Sequence, residues 1–509
     1  MPDPTESSPS AHPPDTAHVR RGARRLLVRL FGGFRPAYLP VLITYFAYGA
    51  SAITGVALVF FEKDTLGLTP AEVAGIGFWV GLPWSMKMVA GVASDVYPIL
   101  GSRRKPYLIL GALCSMAAYA FLASAVQSKG AFLLAMVAVT VGFMIQDVVA
   151  DALSVEAAES DEEIGQIQAL GRMALLVGGI SVGYLSGVLA ARIGPRGVFA
   201  LAMALPALVL VGALFVRPGA GQPVPASRVE TREVPGRDEA RGAGPLAGGK
   251  ARLVIGVGLG YAALGVLLET LEVPLAQEMI LLVSAGLIGL LLQRVGISRG
   301  VAVAAFMIFL FRAVPGVGQG YTFWAIDRLG FDQHFLGLLA QVSSVLSLAG
   351  LIVFRKAIIE RPVSFTLFWL IIAGTVLYLP TIGLFYGVHE WLGVSARTFA
   401  FIDTTISAPL GQLSMVPMLV LIARNAPRGA EATMFAIMAS LMNLALSASE
   451  LFTRYLNTVF AVTQQDYSSL GRLMIAVGLI GLLPLLALPA LRREEAQPGP
   501  VTAPSRAPA

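Results

Sequence analysis

The chain has 509 residues, of which 56% are hydrophobic and 13% are charged, and its formal net charge is +6. A soluble globular protein carries about 25% charged residues, so this composition excludes an ordinary soluble domain and predicts a membrane protein. The single cysteine, Cys114, excludes a disulfide within the chain, and the four scattered histidines show no metal-ligand spacing. The sequence therefore predicts neither a metal site nor a cofactor.

The first 35 residues begin polar and rich in Pro and Ser, and then become rich in Arg. A cleaved signal peptide has a short basic start, a brief apolar core and a small-residue cleavage site, which this segment does not show. We interpret residues 1–35 as a cytoplasmic tail whose arginines contact anionic lipid. An organelle transit peptide is the alternative, and Asp3, Glu6 and Asp15 argue against it.

Apolar runs of about 20 residues are long enough to cross a bilayer as helices. The first group lies at residues 36–61, 71–95, 106–126, 131–155, 166–190 and 197–216. After a segment rich in Pro, Gly and Arg, the second group lies at 253–268, 277–293, 301–325, 336–354, 363–386, 396–422, 431–460 and 468–491. Together they predict an all-α polytopic membrane protein with 14 transmembrane helices.

An internal repeat explains why the two groups are unequal. Asp64 follows the first run and Asp327 follows the third run of the second group, and both begin the pattern Asp-x-Leu-Gly. The offset, 327 − 64 = 263 residues, moves the first run onto residues 299–324. Two homologous halves joined by a linker are typical of the major facilitator fold. The predicted segments are a six-helix half at 36–216, a cytoplasmic linker at 217–250, an inserted transmembrane hairpin at 251–295, a six-helix half at 299–491 and a disordered cytoplasmic tail at 492–509.

Basic residues concentrate on one side of this topology, in both tails, in the linker and in the loop that contains Arg103, Arg104 and Lys105. Cytoplasmic loops carry an excess of Lys and Arg, so both termini are predicted to be cytoplasmic. The same bias accounts for the net positive charge, so the charge does not predict a nucleic-acid partner. We expect a monomeric, multi-pass protein of the inner (plasma) membrane.

Four separated segments carry a family pattern. The first half contains PWSMKMVAGVASDVYPILGSRRKPY at 83–107 and QDVVADALSVEAA at 146–158. The second half contains LGFDQHFLG at 329–337 and APRGAEATMFAIMASLMNL at 426–444. These segments resemble the folate–biopterin transporter family of the major facilitator superfamily. The chain departs from that pattern in the inserted hairpin and at Lys87, which is followed by Met where members often have Pro.

The resemblance implies a secondary active transporter that moves folates, pterins or related organic anions together with protons. The alternatives are a permease for another organic anion and a non-transporting assembly or pigment-binding factor of the same fold. The sequence shows no nucleophile–base set and no G-x-x-x-x-G-K-[ST] loop, so it predicts neither an enzyme nor direct use of ATP.

Lys87 stands near the middle of the second span. A charge within hydrocarbon is costly and usually functional, so we predict that Lys87 binds an anionic substrate. Arg172 in the fifth span and Arg312 in the second half are predicted to bind substrate carboxylates, since a guanidinium binds them bidentately. The alternative for these cations is a structural pair with a carboxylate of the bundle.

Asp147 and Asp151 are four residues apart and therefore share one helix face. Two carboxylates this close would repel if both were ionised, which favours a proton on one of them. We predict proton coupling at Asp147, Asp151 and, a turn and a half further on, Glu156, with Asp147 also in contact with substrate. The structural alternative is that these acids only neutralise Lys87 or Arg172.

Two further groups complete the candidate site. Tyr45 and Tyr48 lie deep in the first span and are predicted to stack on a flat substrate ring, the alternative being aromatic anchors at the membrane interface. Asp95, Arg103 and Arg104 resemble a stretched version of the facilitator loop between the second and third helices. That resemblance implies conformational gating, in which a carboxylate at a helix end exchanges charge contacts as the halves rock.

Overall fold

The structure is a computed structural model that describes residues 35–216, 248–271, 273–296, 298–425 and 431–496. Within these ranges the regular structure is helical, apart from an isolated antiparallel bridge between Ile99 and Ser102. Most of the predicted linker and both predicted tails lie outside the described residues, and the predicted segment boundaries stay predictions.

The first half begins at Pro36 and alternates between the two faces of the bundle. Its helices are α1 (Leu39–Ala50), α2 (Gly55–Phe60), α3 (Pro70–Ser85), α4 (Lys87–Val96), α5 (Lys105–Ser124), α6 (Lys129–Ala157), α7 (Asp161–Ala202) and α8 (Ala204–Ala213). The face at which α1 begins is called the N-terminal face, and the face at which α2 ends is called the distal face. Side-chain caps fix several starts: Thr69 and Glu72 form a capping box at α3, and Ser160 caps α7.

The inserted hairpin and the second half follow. Their helices are α9 (Gly248–Thr270), α10 (Ala276–Val295), α11 (Arg299–Arg312), α12 (Gln319–Leu329), α13 (Gln333–Glu360), α14 (Val363–Phe385), α15 (Val388–Trp391), α16 (Ala396–Ser407), α17 (Met415–Asn425), α18 (Glu431–Val459), α19 (Leu470–Ile480) and α20 (Leu488–Ala496). The start of α13 is capped by Asp332, whose side chain accepts the N–H of Phe335 at 2.8 Å.

Eleven helical segments of the described chain are long and apolar enough to cross a membrane. The sequence predicted fourteen, and that count stays a prediction. The fifth and sixth predicted spans form one segment, Glu162–Ala213, which turns at Gly194 where φ is 68°. The first predicted span of the second half is divided between α11 and α12, each of them short. The first hairpin helix, α9, contributes only a shorter apolar stretch, Gly256–Glu269.

The first transmembrane segment of each half is interrupted at equivalent positions. A 3-10 turn at Ser51–Thr54 separates α1 from α2, and residues 313–318 separate α11 from α12. Subtracting the repeat offset of 263 moves 313–318 onto 50–55, which encloses that 3-10 turn. The two halves therefore share a backbone interruption as well as a sequence pattern, and interrupted helices near the midplane are where transporters of this kind place their sites.

The halves approach each other closely toward the distal face, because glycines remove the side chains that would separate the helices. A Cβ atom at Gly187 of α7 would lie 2.1 Å from the carbonyl oxygen of Gln333 in α13. A Cβ atom at Gly81 of α3 would lie 2.9 Å from the hydroxyl of Ser447 in α18. Gly187 lies toward the distal end of its transmembrane segment and Gly81 lies near the middle of its own, so the bundle is closed from its middle to the distal face.

The inserted hairpin packs against both halves. Gln277 of α10 donates to the carbonyl of Gly75 in α3 at 3.0 Å and accepts from Arg454 of α18 at 3.0 Å. Tyr261 of α9 donates to the carbonyl of Ile280 at 3.2 Å, which joins the two hairpin helices. The hairpin, to which the sequence assigned no role, therefore spans the contact between α3 and α18.

Candidate functional site

A break in the second transmembrane segment positions Lys87. Pro83 lies inside α3, and the helix ends at Met86, whose φ and ψ are −106° and 13°. Proline cannot supply a helical N–H and weakens the turn that precedes it, and the helix breaks three residues after this weakened turn. Lys87 is the first residue of α4, where the helix dipole opposes a positive charge, and the first turn of α4 has no acidic residue. Its charge must therefore be balanced by other helices.

The balance comes from Asp147 and Asp151 on α6. The Nζ atom of Lys87 lies 2.9 Å from Oδ2 of Asp151 and also forms an ion pair with Asp147. The two carboxylates differ in solvent access, since the side chain of Asp147 is 10% exposed and that of Asp151 is 39% exposed. One lysine therefore bridges a buried carboxylate and an accessible one, and Asp151 is the one that water and solutes can reach.

Tyr45 and Arg172 border the same group. The hydroxyl of Tyr45 donates to Oδ1 of Asp151, and the guanidinium of Arg172 lies 5.9 Å from the centre of the Tyr45 ring. Gly171 permits this approach, because a Cβ atom there would lie 2.7 Å from the ring. Arg172 is exposed and forms no ion pair within the part of the chain that the structure describes. It is thus available to an anion that enters the bundle.

Tyr48 lies one turn beyond Tyr45 on α1 and extends the site with aromatic surface. Its ring centre is 5.4 Å from that of Trp84 and 5.6 Å from that of Phe143. Such tilted ring pairs are favourable packing geometries. Tyr48 therefore belongs to an aromatic wall beside the charged group.

A second charged group lies at the N-terminal face. Arg104 is 2.7 Å from Asp95 and 2.6 Å from Glu156, and it donates to the hydroxyl of Ser94 at 2.9 Å. Burial opposes the charge of Arg104, and the Glu156 and Asp95 carboxylates outweigh burial, so the pKa of Arg104 is raised.

Glu156 therefore lies with the gating candidates in the structure and not beside Lys87, with which the sequence had grouped it. The return of the 97–104 loop to the end of α6 brings Arg104 to Glu156. Of the gating candidates, Arg103 is half-buried and forms no ion pair with the described residues.

Arg312 lies in the other half, at the last position of α11 and at the edge of the interruption. Its Nε atom is buried and has no hydrogen-bond partner among the described residues. The interruption is held by α18, where the hydroxyl of Thr453 accepts the N–H of Gly316 at 2.9 Å and Asn457 donates to the carbonyl of Val317 at 3.1 Å. Arg312 therefore offers an unsatisfied cation at a rigid break in the second half.

Sequence reasoning missed an ion pair between the halves. The Nζ atom of Lys63 lies 2.6 Å from Oδ1 of Asp327, and the hydroxyl of Tyr467 donates to Oδ2 of Asp327 at 2.6 Å. Gln464 donates to the carbonyl of Leu68 at 2.7 Å at the same face. The sequence repeat had used Asp327 only to align the two halves. The signal that could have revealed the ion pair is that Lys63 and Asp327 stand at corresponding ends of the two halves and carry opposite charges.

No group of three or more His, Cys, Asp or Glu side chains in the described ranges is placed to hold a metal ion. The chemistry available at the Lys87 group is instead ion pairing and hydrogen bonding. A lysine shared by two carboxylates, an exposed arginine and a tyrosine ring can bind an organic anion and exchange a proton.

Comparison with known proteins adds sequence relatives. The sequence pattern of the protein family described as the BT1 family matches residues 49–497. A protein named folate-biopterin transporter, from Synechocystis sp., is 30% identical over 453 residues, which are 88% of this chain and 80% of that protein. A protein named folate transporter 2, from Plasmodium falciparum, is 22% identical over 91% of this chain and 90% of its own length.

Solved structures share the fold. The nucleoside transporter NupG superposes with a TM-score of 0.60 at 10% identity, over 89% of this chain and 99% of NupG. A POT family transporter in complex with a thioalcohol-conjugated peptide superposes with a TM-score of 0.65 at 15% identity, over 92% of this chain and 98% of that one. The major facilitator fold predicted from the sequence is therefore confirmed, and so is a multi-pass membrane protein.

Proposed function

Because this chain belongs to the BT1 family, whose named relatives are transporters and not enzymes, we propose that it carries folate- or pterin-like organic anions across the membrane. The transport is secondary active, coupled to protons, and proceeds by alternating access of one site to the two sides. The names of the relatives from Synechocystis and Plasmodium support the substrate class.

The observation that carries this proposal is the position of Lys87 between Asp147 and Asp151. With Arg172 beside them, the group holds two cations and two carboxylates, so it is neutral when all four are charged. A substrate carboxylate that binds Lys87 competes with Asp151, which is the more exposed partner. Once displaced, Asp151 loses its cation and takes up a proton, so one anion and one proton enter together and the group stays neutral.

The remaining candidate residues suit the rest of such a substrate. Arg172 and Arg312 supply guanidinium groups for further carboxylates, one from each half. Tyr45 and Tyr48 present ring surface for a flat heterocycle, and the carboxylate of Asp147, which is not the proton acceptor in this scheme, can accept paired hydrogen bonds from an amino-pyrimidine edge. The substrate would thus contact both halves, as a site at the centre of an alternating-access transporter requires.

Access to this site supports the proposed cycle. The described contacts between the halves at Gly187 and Lys63 lie toward the distal face and the contact at Gly81 lies near the middle of the bundle, while Asp151 is solvent-accessible. We take the N-terminal face to be cytoplasmic on the basis of its basic loops, which makes this an inward-facing state of a protein in the inner (plasma) membrane. Asp95, Arg103 and Arg104 would then act at the cytoplasmic end as the halves rock.

The test is uptake of labelled folate and of a reduced pterin into proteoliposomes, with and without an inward proton gradient. Wild type is compared with Asp151→Asn, with Lys87→Met and with a control, Glu159→Gln, which removes an exposed carboxylate at the N-terminal face. We expect gradient-driven uptake by wild type and by the control, loss of gradient dependence in Asp151→Asn, and loss of substrate binding in Lys87→Met.

Two results would overturn the proposal. Absence of uptake of either compound by folded, inserted wild type would leave another organic anion or a non-transporting role as the function. Uptake that is unaffected by the gradient, and equal in wild type and Asp151→Asn, would remove proton coupling from the Lys87 group.

A further inference from the structure

A buried acidic residue outside the Lys87 group has no assigned role. Glu62 lies in the π turn at Phe61–Thr65 that ends the first transmembrane segment. Glu62 is only 8% exposed, and its Oε2 atom has no hydrogen-bond partner among the described residues. π turns are rare and occur often at functional sites, and an unpartnered buried carboxyl group is costly if it is charged.

A second carboxyl group lies in the neighbourhood of Glu62 and belongs to the other half. Glu450 on α18 is the charged residue that acts electrostatically on Glu62. Its side chain packs against α3, where a Cβ atom at Gly77 would lie 3.0 Å from the Cδ atom of Glu450. Glu62 directly precedes Lys63, which pairs with Asp327 of the second half, and Glu450 packs against α3 of the first half, so both carboxyl groups lie where the halves are closed together.

The neighbouring charges do not neutralise Glu62. Lys63, the next residue, is directed at Asp327 and Asp64, at 2.6 and 3.2 Å. Arg454, one turn after Glu450 on α18, donates to Gln277 of the hairpin at 3.0 Å. Both nearby cations thus pair with other groups. The charged residue that still acts on Glu62 is Glu450, which carries the same sign of charge.

We propose that Glu62 and Glu450 form a proton-binding site between the two halves, and that Glu62 carries the proton while the distal face is closed. A neutral carboxyl group can be buried without a cation, whereas an ionised one without a cation, and with a second carboxylate nearby, is strongly disfavoured. This inference rests on the proposed proton coupling. It adds a second proton site, which lies at the distal end of the first transmembrane segment and is separate from the Lys87 group.

The site would link protons to opening. When the halves separate at the distal face, Glu62 and Glu450 move apart and become hydrated, so Glu62 can release its proton to the solution on that side. Closure reverses the step: a proton from that solution binds a carboxylate oxygen of Glu62, an O–H bond forms, and the neutral group is buried again. Protons on the distal side would therefore favour closure.

The experiment measures opening of the distal face without any substrate. Spin labels are placed at Thr65→Cys and Arg328→Cys in a Cys114→Ser background of the full chain in lipid nanodiscs, and their distance is measured by double electron–electron resonance between pH 5.5 and 8.5. One linked proton changes the open-to-closed ratio about tenfold per pH unit within the titrating range. We expect that dependence in wild type, in Asp64→Asn and in Glu62→Asp, and its loss in Glu62→Gln, which should stay closed at high pH.

Thermal unfolding supplies a second readout that needs no labels. Glu62→Gln should melt at a higher temperature than wild type at pH 8.5, and the difference should be smaller at pH 5.5, because the proton that wild-type Glu62 needs in the folded state is then more available. Equal pH dependence of the distances in wild type and Glu62→Gln would overturn the site. Because neither readout contains folate or a pterin, failure of the proposed substrate in the uptake assay leaves this result interpretable, and failure here leaves uptake through Asp151 intact.

Discussion

Lys63 of the first half and Asp327 of the second half form an ion pair, 2.6 Å between Nζ and Oδ1, that joins the halves at the distal face. Asp64, the repeat equivalent of Asp327, lies 3.2 Å from the same Nζ atom. One lysine is thus shared by the two aspartates that mark corresponding ends of the halves. The pair with Asp327 must break when the distal face opens, whereas the pair with Asp64 moves with the first half.

Removal of the pair between the halves should favour opening. In Asp327→Asn, Lys63 loses a charged partner at a site where its side chain is nearly buried, and we expect the open population to rise by roughly five- to 150-fold, equivalent to about 1–3 kcal/mol. Asp64→Asn is the matched control, because it removes a carboxylate from the same lysine without separating the halves. The spin-label distances between positions 65 and 328 measure the open population of both variants. An equal effect of the two variants would show that the Lys63–Asp327 pair does not hold the distal face closed.

The fold was largely predictable from apolar run lengths and the repeat, because a bilayer sets the length of a helix and duplication sets the number. The interruption between α11 and α12 was not predicted, although Pro315, Gly316 and Gly318 stand there. Those residues were read as part of a continuous apolar run, since their neighbours are Ala and Val. At this position the helix-breaking residues Pro and Gly predicted the structure better than the mean hydropathy did.

The candidate site was predictable only in part. A spacing of four residues places Asp147 and Asp151 on one face whatever the tertiary structure, and Lys87 needed a carboxylate somewhere in the bundle. The partner of Glu156 could not be read in the same way. Its contact with Arg104 depends on how the 97–104 loop folds back across the N-terminal face, which neither helix periodicity nor residue type determines.

The hydroxyl of Tyr45 should matter for transport, and that of Tyr48 should not. Tyr45→Phe removes the hydrogen bond to Asp151, and hydrogen bonds to charged groups contribute about 1.5–3 kcal/mol. We therefore expect gradient-driven uptake to fall about tenfold or more. Tyr48→Phe keeps the ring that packs on Trp84 and Phe143 and should retain uptake close to wild type. Initial uptake rates at a fixed gradient decide this. Unchanged uptake in Tyr45→Phe would show that only its ring matters, and equal losses in the two variants would show that the hydrogen bond to Asp151 does not set Tyr45 apart.

Close contact between α7 and α13 should be required for closure of the distal face. In Gly187→Ala, the new Cβ atom would lie 2.1 Å from the carbonyl oxygen of Gln333, so the helices must separate. Gly165→Ala is the control on the same helix, since no atom lies within 4 Å of a Cβ atom there. Both substitutions raise helix propensity by about 1 kcal/mol, so that effect cancels. We expect more open distal face and slower uptake only in Gly187→Ala, and unchanged label distances would contradict this.

The two carboxylates that pair with arginines at the N-terminal face should differ in their contribution to stability. Glu156 contacts Arg104, whose side chain is 10% exposed, whereas Glu159 contacts Arg35 and is itself 80% exposed. Glu156→Gln leaves a buried guanidinium with Asp95 as its remaining anion, and we expect a loss of about 1–3 kcal/mol in unfolding free energy. Glu159→Gln should cost less than about 1 kcal/mol, as exposed ion pairs do. Unfolding midpoints of the purified variants in detergent measure the difference. Equal midpoints would mean that Asp95 and Ser94 alone satisfy Arg104 and that Glu156 adds nothing to the stability of this charged group.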